Sequence, residues 1–149
     1  VSMDEVRWVY YKEIGWEPDT QRQIKEQSGF AGVYRYWKRF LIYSLERLLS
    51  EYSNCVIDFG AGNSVYEDDS EFARASEMLA PYKNVVLLLP SPDLDESVEI
   101  LKQRNQLKIN GLEINRFFMT HHSNQKLAKQ IIYTKGKTPE EIKEQILGS

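Results

Sequence analysis

Chemistry is most concentrated in Asp58-Phe59-Gly60-Ala61-Gly62-Asn63-Ser64, which follows the apolar run Cys55-Val56-Ile57. An apolar run that ends in a carboxylate and then two glycines delivers Asp58 to the edge of a sheet and lets a ligand approach the backbone closely. A carboxylate placed there can hold a metal-bound water or accept a substrate proton. The plainer alternative is a tight turn in which Asp58 bonds nearby backbone amides. Arg35 and Arg39, four residues apart, can present two guanidinium groups together to an anionic substrate. His121 and His122 are adjacent, so in regular structure they point in different directions and do not form the i, i+4 pair of a helical zinc site. With Thr120, Ser123, Asn124 and Lys126 they form a polar cluster suited either to a substrate lid or to a solvated loop. Gly136-Lys137-Thr138 imitates the end of the phosphate-binding pattern G-x-x-x-x-G-K-[ST]. The position of that pattern's first glycine is Ile131, inside an apolar run, which leaves the loop too short to wrap a phosphate.

These residues need elements to position them. Val6, Val9, Tyr10 and Ile14 fall at helical spacing between Asp4 and Ile14, with Gly15 as a stop. After a turn at Gly15-Trp16-Glu17-Pro18, Asp19 caps a polar helix reaching Gln27, short of Gly29. From Gly32 to Tyr52, Val33, Trp37, Phe40, Leu41, Leu45 and Leu48 mark one face of a single long helix. The same spacing turns the aromatic-basic run from Tyr34 to Phe40 into amphipathic packing rather than a platform for nucleic-acid bases. Cys55-Val56-Ile57, Val85 to Leu89 and Ile131-Ile132-Tyr133 are short continuous apolar runs that suit buried parallel strands. Helical patterns run from Ser70 to Leu79, from Asp93 to Gln103 and from Thr138 to Leu147, the last with Pro139 in its first turn. Strands alternating with helices predict an α/β fold with a mainly parallel sheet flanked by helices. The polar stretch from Asn105 to Lys129 reads as a helical excursion over the edge of that sheet.

With 149 residues, 42% hydrophobic and 28% charged, the chain is sized for one globular domain with one core. A formal net charge of -3 gives no basic field, which disfavours nucleic acid and favours a small-molecule substrate or a protein as partner. The single cysteine, Cys55, reads as a small buried hydrophobe in a reducing compartment. No apolar stretch approaches the ~20 residues that span a bilayer, and no signal-peptide pattern opens the chain. Neither membrane association nor export is expected, and the location is read as cytoplasmic.

Taken in order, several segments together resemble shikimate kinase and its relatives, the small-molecule kinases of P-loop fold. They are Asp4-Glu5, Val56-Ile57-Asp58-Phe59-Gly60-Ala61-Gly62, Val85 through Pro92, and Ile132-Tyr133-Thr134 through Lys137-Thr138-Pro139-Glu140-Glu141-Ile142. The resemblance implies a five-stranded parallel sheet and phosphorylation of a small acid's hydroxyl by ATP with Mg²⁺. By position, Asp4 resembles the aspartate that binds the substrate hydroxyl near the metal, with Asp58 as the second catalytic and metal candidate. Arg35 resembles the arginine that grips the substrate carboxylate, and Arg39 is added to it as a neighbour. Gly60, Ala61 and Gly62 match a three-glycine substrate loop, here with alanine in the middle. Lys135, Gly136, Lys137, Thr138 and Pro139 resemble the turn that contacts adenine. Ser2 and Asp4 stand where the family has paired acids, and Arg116 or the pair His121 and His122 would replace the lid arginine.

Relatives carry a first strand, the Walker A loop and a helix before the position of Val1, so residues 1–149 read as one kinase-like domain, N-terminally incomplete. The missing strand would lie between the Cys55 and Val85 strands and leave a slot of ~10 Å. Its unpaired backbone edges would invite self-association. The expectation is therefore an ATP-dependent phosphotransferase-like domain acting on a hydroxyl of a small metabolite, an acid among the candidates, and inactive without its P-loop. The alternative is a noncatalytic kinase-like binding module. A third reading is an enzyme of another class that uses Asp58 with His121 or His122.

Overall fold

The computed structural model describes residues 1–103, 108–109 and 111–148. Helix α1, Met3–Glu13, opens with Asp4 and Glu5 in its first turn, where acidic groups favour the positive end of the helix dipole. It buries Met3, Tyr10 and Tyr11, while Val9 and Ile14 of the expected stripe are exposed. The difference arises from aromatic partners. Tyr11 stacks on Phe40 at 4.8 Å between ring centroids, and Trp8 lies 4.9 Å from Trp16 and 5.7 Å from Trp37. Large rings outweigh a valine in the area they bury, so they set the rotation of the helix.

Helix α2, Pro18–Lys38, runs through the expected gap between two helices and is kinked where Gly29 adopts φ 60° and ψ -160°. The single helix expected from Gly32 to Tyr52 is broken: α2 ends at Lys38, and α3 spans Leu41–Glu51. No Gly or Pro marks that break. It centres on Phe40, which is fully buried between the rings of Tyr11 and Tyr36, and whose carbonyl accepts from both the backbone N–H and the hydroxyl of Ser44. Turning there lets Trp37 of α2 face Trp8 while α3 packs along α1. Leu45 and Leu48 of α3 are completely buried, each worth ~1.5–3 kcal/mol relative to exposure.

Further along come α4 (Asp69–Leu79), β1 (Val86–Leu89), α5 (Leu94–Lys102), the antiparallel pair β2 (Lys108–Ile109) and β3 (Leu112–Glu113), α6 (Ile114–Thr120), α7 (His122–Leu127), β4 (Gln130–Tyr133) and α8 (Pro139–Leu147). Asp68 caps α4, Asp93 caps α5, and Thr138 with Glu141 forms a capping box on α8. The expected helical excursion from Asn105 to Lys129 contains a short hairpin and two helices, and its residues 105–107 and 110 lie outside the described residues.

Strands β1 and β4 pair in parallel, with Val86 opposite Gln130 and Leu89 opposite Tyr133. The architecture is a mixed, helix-rich α/β fold with a small two-stranded parallel sheet flanked by helices. The expectation of a third buried strand at Cys55-Val56-Ile57 is not met. The segment makes one parallel bridge, Asp58 to Ser2, with Cys55 exposed and Val56 87% exposed. In β1 and β4, Leu88, Ile131 and Tyr133 are also exposed. An apolar run becomes a buried strand only when neighbours cover both of its faces. Here Val1 and Ser2 supply a partner along one edge alone, through Val1 N to Val56 O and Asp58 N to Val1 O, both 2.8 Å. Among the described residues no helix is long and apolar enough to cross a membrane.

Candidate functional site

The loop after Asp58 turns sharply because Gly60 takes φ +68°. A side chain there would also sit 3.2 Å from Asn63 Nδ2 and 3.4 Å from Asp4 Oδ2, so the turn brings bare backbone against α1. Buried Asn63 ties the two together. Its Nδ2 donates to Asp4 Oδ1 at 3.0 Å and to Phe59 O at 2.9 Å, while its Oδ1 accepts from Arg7 Nη1 at 3.2 Å. The same Nη1 lies 3.3 Å from Asp4 Oδ1. From the other side, Asn124 Nδ2 donates to Ala61 O at 3.1 Å and to Phe118 O at 3.0 Å. Ser64 Oγ donates to Asn124 Oδ1, and Tyr66 N donates to Ser123 Oγ at 3.1 Å. The loop is thus held in place by α1 on one side and by α6–α7 on the other.

Between them lies a cavity of about 250 Å³. Asp4, Arg7 and Tyr11 of α1 form one side, and Phe30, Tyr34, Trp37 and Lys38 of α2 form another. Gly60, Ala61, Gly62 and Asn63 provide a floor of backbone, with Leu41, Ile114 and Phe118 completing the enclosure. Gly62 is packed so closely that an added Cβ would meet Phe118 Cζ at 3.1 Å.

Among the described residues, three polar atoms of lining residues are fully buried with no hydrogen bond of ordinary geometry: Arg7 Nε, Tyr11 Oη and Tyr34 Oη. The Arg7 guanidinium is sandwiched between indoles, 4.5 Å from the Trp8 ring and 4.6 Å from the Trp37 ring, and its Nη1 meets Asn63 Oδ1 and Asp4 Oδ1. Burial pushes the Tyr11 hydroxyl up to about 12, with the Arg7 charge and a loose hydrogen bond to Arg7 pulling the other way. Burial also raises the Tyr34 hydroxyl, with a smaller contribution from Glu67. Both therefore stay protonated and able to donate at neutral pH. Burial lowers the Lys38 pKa, opposed by Glu67 at 3.2 Å, while its Nζ donates to Val65 O at 2.7 Å and lies 4.7 Å from the Tyr34 ring centre.

Of the residues singled out in the sequence, the structure brings Asp4, Gly60, Ala61 and Gly62 together in this cavity. Asp58 is exposed on its bridge to Ser2 and does not line it. Arg35 and Arg39 are exposed, Arg39 lying over the rings of Tyr36 and Phe40. Arg116 is ion-paired with Asp95. His121 and His122 stack on each other at 4.6 Å, and His122 also lies against Phe72. His121 Nδ1 accepts from Ser123 N at 3.2 Å, and its pKa is lowered by burial and then by His122, so it stays neutral at pH 7. Among the described residues neither histidine is bonded to Asp58 or lines the cavity.

The residues that sequence reasoning missed are Arg7, Tyr11, Asn63 and Phe118, together with the cavity roles of Tyr34 and Lys38. One signal was available: Asp4 and Arg7 stand three apart on a helix, a spacing that places them side by side. Tyr34, Trp37 and Lys38 likewise share a helix face at i, i+3 and i+4.

In the turn from Lys135 to Pro139 the N–H groups of Lys135, Lys137 and Thr138 bond within the chain. Lys135 N donates to Pro90 O at 2.9 Å, Lys137 N to Thr134 O at 3.1 Å and Thr138 N to Glu141 Oε2 at 2.7 Å. Lys135 Nζ pairs with Glu96, and Lys137 Nζ donates to Gln145 Oε1 at 3.0 Å. A wider groove of about 410 Å³ beside Lys137, Glu141 and Glu144 is open and lined mainly by exposed side chains of α8. Mg²⁺ takes one or two carboxylates together with phosphate oxygens. Among the described residues Asp4 Oδ2 accepts no hydrogen bond, and Asp58 does not line its cavity. Among the described residues no three His, Cys, Asp or Glu side chains gather at a metal position. Compared with known proteins, the chain matches no protein family, no curated protein and no solved structure.

Proposed function

We propose that this chain holds a small hydroxylated acid in the cavity between α1, α2 and the Gly60–Asn63 loop, as the acceptor site of a cytoplasmic, kinase-like phosphotransferase domain. The observation that supports this reading is one cavity that holds Asp4, anchored by Asn63 and Arg7, beside the bare backbone of Gly60 to Gly62. Arg7 and Lys38 supply positive charge for the ligand's anionic end. Asp4, whose side chain is 61% exposed and anchored through Oδ1 by Asn63 and Arg7, keeps Oδ2 toward Gly60 to accept the proton of a ligand hydroxyl. A positioned general base of this kind contributes about 10²–10⁴-fold to rate. ATP and Mg²⁺ enter the reading from the resemblance alone.

The test is phosphate transfer from ATP·Mg²⁺ to a panel of small hydroxy acids, followed by ³¹P NMR. Transfer to at least one acid is expected when the phosphate-binding loop that the resemblance implies is supplied, and none without it. Asp4→Asn is then expected to lower the rate about 100-fold or more while acid affinity stays within about threefold. Absence of transfer to every acid with that loop supplied would remove the phosphotransferase reading. A second reading, a noncatalytic kinase-like binding module, is favoured by the internally bonded N–H groups of Lys135, Lys137 and Thr138. It requires acid binding with no heat from nucleotide.

A further inference from the structure

We infer that the turn joining α6 to α7 is a proton-operated clasp on the cavity loop: a proton on His121 breaks the N-terminal cap of α7 and loosens the hold of Ser123 and Asn124 on residues Ala61 to Tyr66. The clasp stands on its own geometry, and only its consequence for ligand affinity rests on the proposal that the cavity is an acid site.

The chain of contacts starts at one ring nitrogen. His121 ends α6 and caps α7, its Nδ1 accepting from Ser123 N at 3.2 Å. The usual caps Ser, Thr and Asn offer an oxygen that accepts at every pH. An imidazole accepts only while one nitrogen lacks a proton, because the protonated ring has two donors and no acceptor. The next two residues carry the connection to the loop. Ser123 is completely buried, and its Oγ accepts from Tyr66 N at 3.1 Å. Asn124 Nδ2 donates to Ala61 O at 3.1 Å, and its Oδ1 accepts from Ser64 Oγ. All three bonds depend on where the first turn of α7 sits. That helix has six residues, too few to hold its first turn by propagation alone.

The surroundings set the direction of the response. The half-buried His121 ring stacks on His122 at 4.6 Å and lies 5.9 Å from Phe117. His122 of α7 and Lys38 of α2 oppose a proton on His121, and Glu67 favours one. Lys38 and Glu67 pair with each other at 3.2 Å, which offsets much of their effect. On α4, Glu71 acts on Lys38, and on α6 Arg116 is paired with Asp95. Burial first, then His122, holds His121 below its ordinary 6.5. A base whose folded pKa lies under its unfolded value contributes fully above the unfolded value and loses that contribution as pH falls through the folded one. The clasp is therefore closed at neutral pH and opens below pH 6.5.

The test is ¹⁵N NMR of the full chain without ligand, from about pH 8 to about pH 5, following the His121 ring, the backbone amides of Ser123 and Tyr66 and the side-chain amide of Asn124. The three amides are expected to shift with the midpoint of the His121 ring. Protection factors at Ser123 and Tyr66 are expected to fall about 2- to 30-fold across it, the range for a lost N-cap. His121→Asn supplies an acceptor at every pH and is expected to abolish the transition, whereas His121→Ala is expected to show the low protection throughout. His122→Ala, which removes the neighbouring charge, is expected to raise the midpoint. Amides that ignore the His121 titration, or a transition that persists in His121→Asn, would overturn the clasp. Loop amides that follow His121 in a chain that binds no acid uphold the clasp and remove only the acid site. Acid binding in a chain whose loop amides ignore His121 removes only the clasp.

Discussion

Tyr66 provides the comparison that separates binding from stability at the scale of a single residue. Like Tyr11 and Tyr34 it is buried with an unpartnered hydroxyl whose pKa burial raises, but it does not line the cavity. A hydroxyl left without a partner costs about 1–3 kcal/mol. Tyr66→Phe is therefore expected to raise the thermal midpoint by several degrees, at about 2–4 °C per kcal/mol for a chain of this size, and to leave acid binding unchanged. Differential scanning calorimetry with titration of a small hydroxy acid checks both, and a lower midpoint would show that Tyr66 Oη has a bonding role after all. The sequence made Asp4 and Gly60-Ala61-Gly62 legible because a carboxylate and glycines are unusual at such positions. It did not reveal Arg7, Tyr11 and Tyr34, because arginine and tyrosine on an amphipathic helix are ordinary, and only packing shows which of their polar atoms lack a partner.

At the scale of elements, α1 and α3 are joined by a polar clasp as well as by their apolar faces. Arg47 donates to Glu13 through Nε at 2.8 Å and Nη2 at 3.2 Å, and Tyr43 Oη donates to Glu13 Oε2 at 2.6 Å. The Arg47 hydrogen bonds, then that of Tyr43, lower the Glu13 pKa from 4.5 to about 2. A carboxyl with a depressed folded-state pKa stabilises the fold above its unfolded value and loses that contribution as pH falls through its folded value. Stability from this clasp is thus complete above pH 4.5 and fades between 4.5 and about 2. Glu13→Gln is expected to flatten the fall of thermal midpoint with acid in that window, and an unchanged slope would show that the clasp contributes nothing. The groups are partly solvated, so added salt weakens the effect. Most helices were readable from spacing and caps, including α4, α5 and α8. The break at Arg39-Phe40 was not, since it is set by the burial of one ring against Tyr11 rather than by a helix-breaking residue.

Across the whole molecule, a parallel sheet was visible in the short apolar runs Val85–Leu89 and Ile131–Tyr133, and the structure pairs them with each other as β1 and β4. Cys55-Val56-Ile57 carries the same signal, yet only Val1 and Ser2 pair with it, so composition could not distinguish a covered strand from an uncovered one. The cavity depends on this larger arrangement, because α1, the kinked α2, the Gly60 loop and α6 come from distant parts of the chain. Its role as a binding site is tested most directly by ¹⁵N-resolved NMR of the full chain titrated with the panel of small hydroxy acids. Saturable shifts with at least one acid are expected at the amides of Gly60 to Asn63 and the side-chain amide of Asn63, with the amides of Lys135 to Thr138 unmoved. Shifts confined to residues outside the cavity, or none at millimolar acid, would contradict the assignment of this cavity as the functional site.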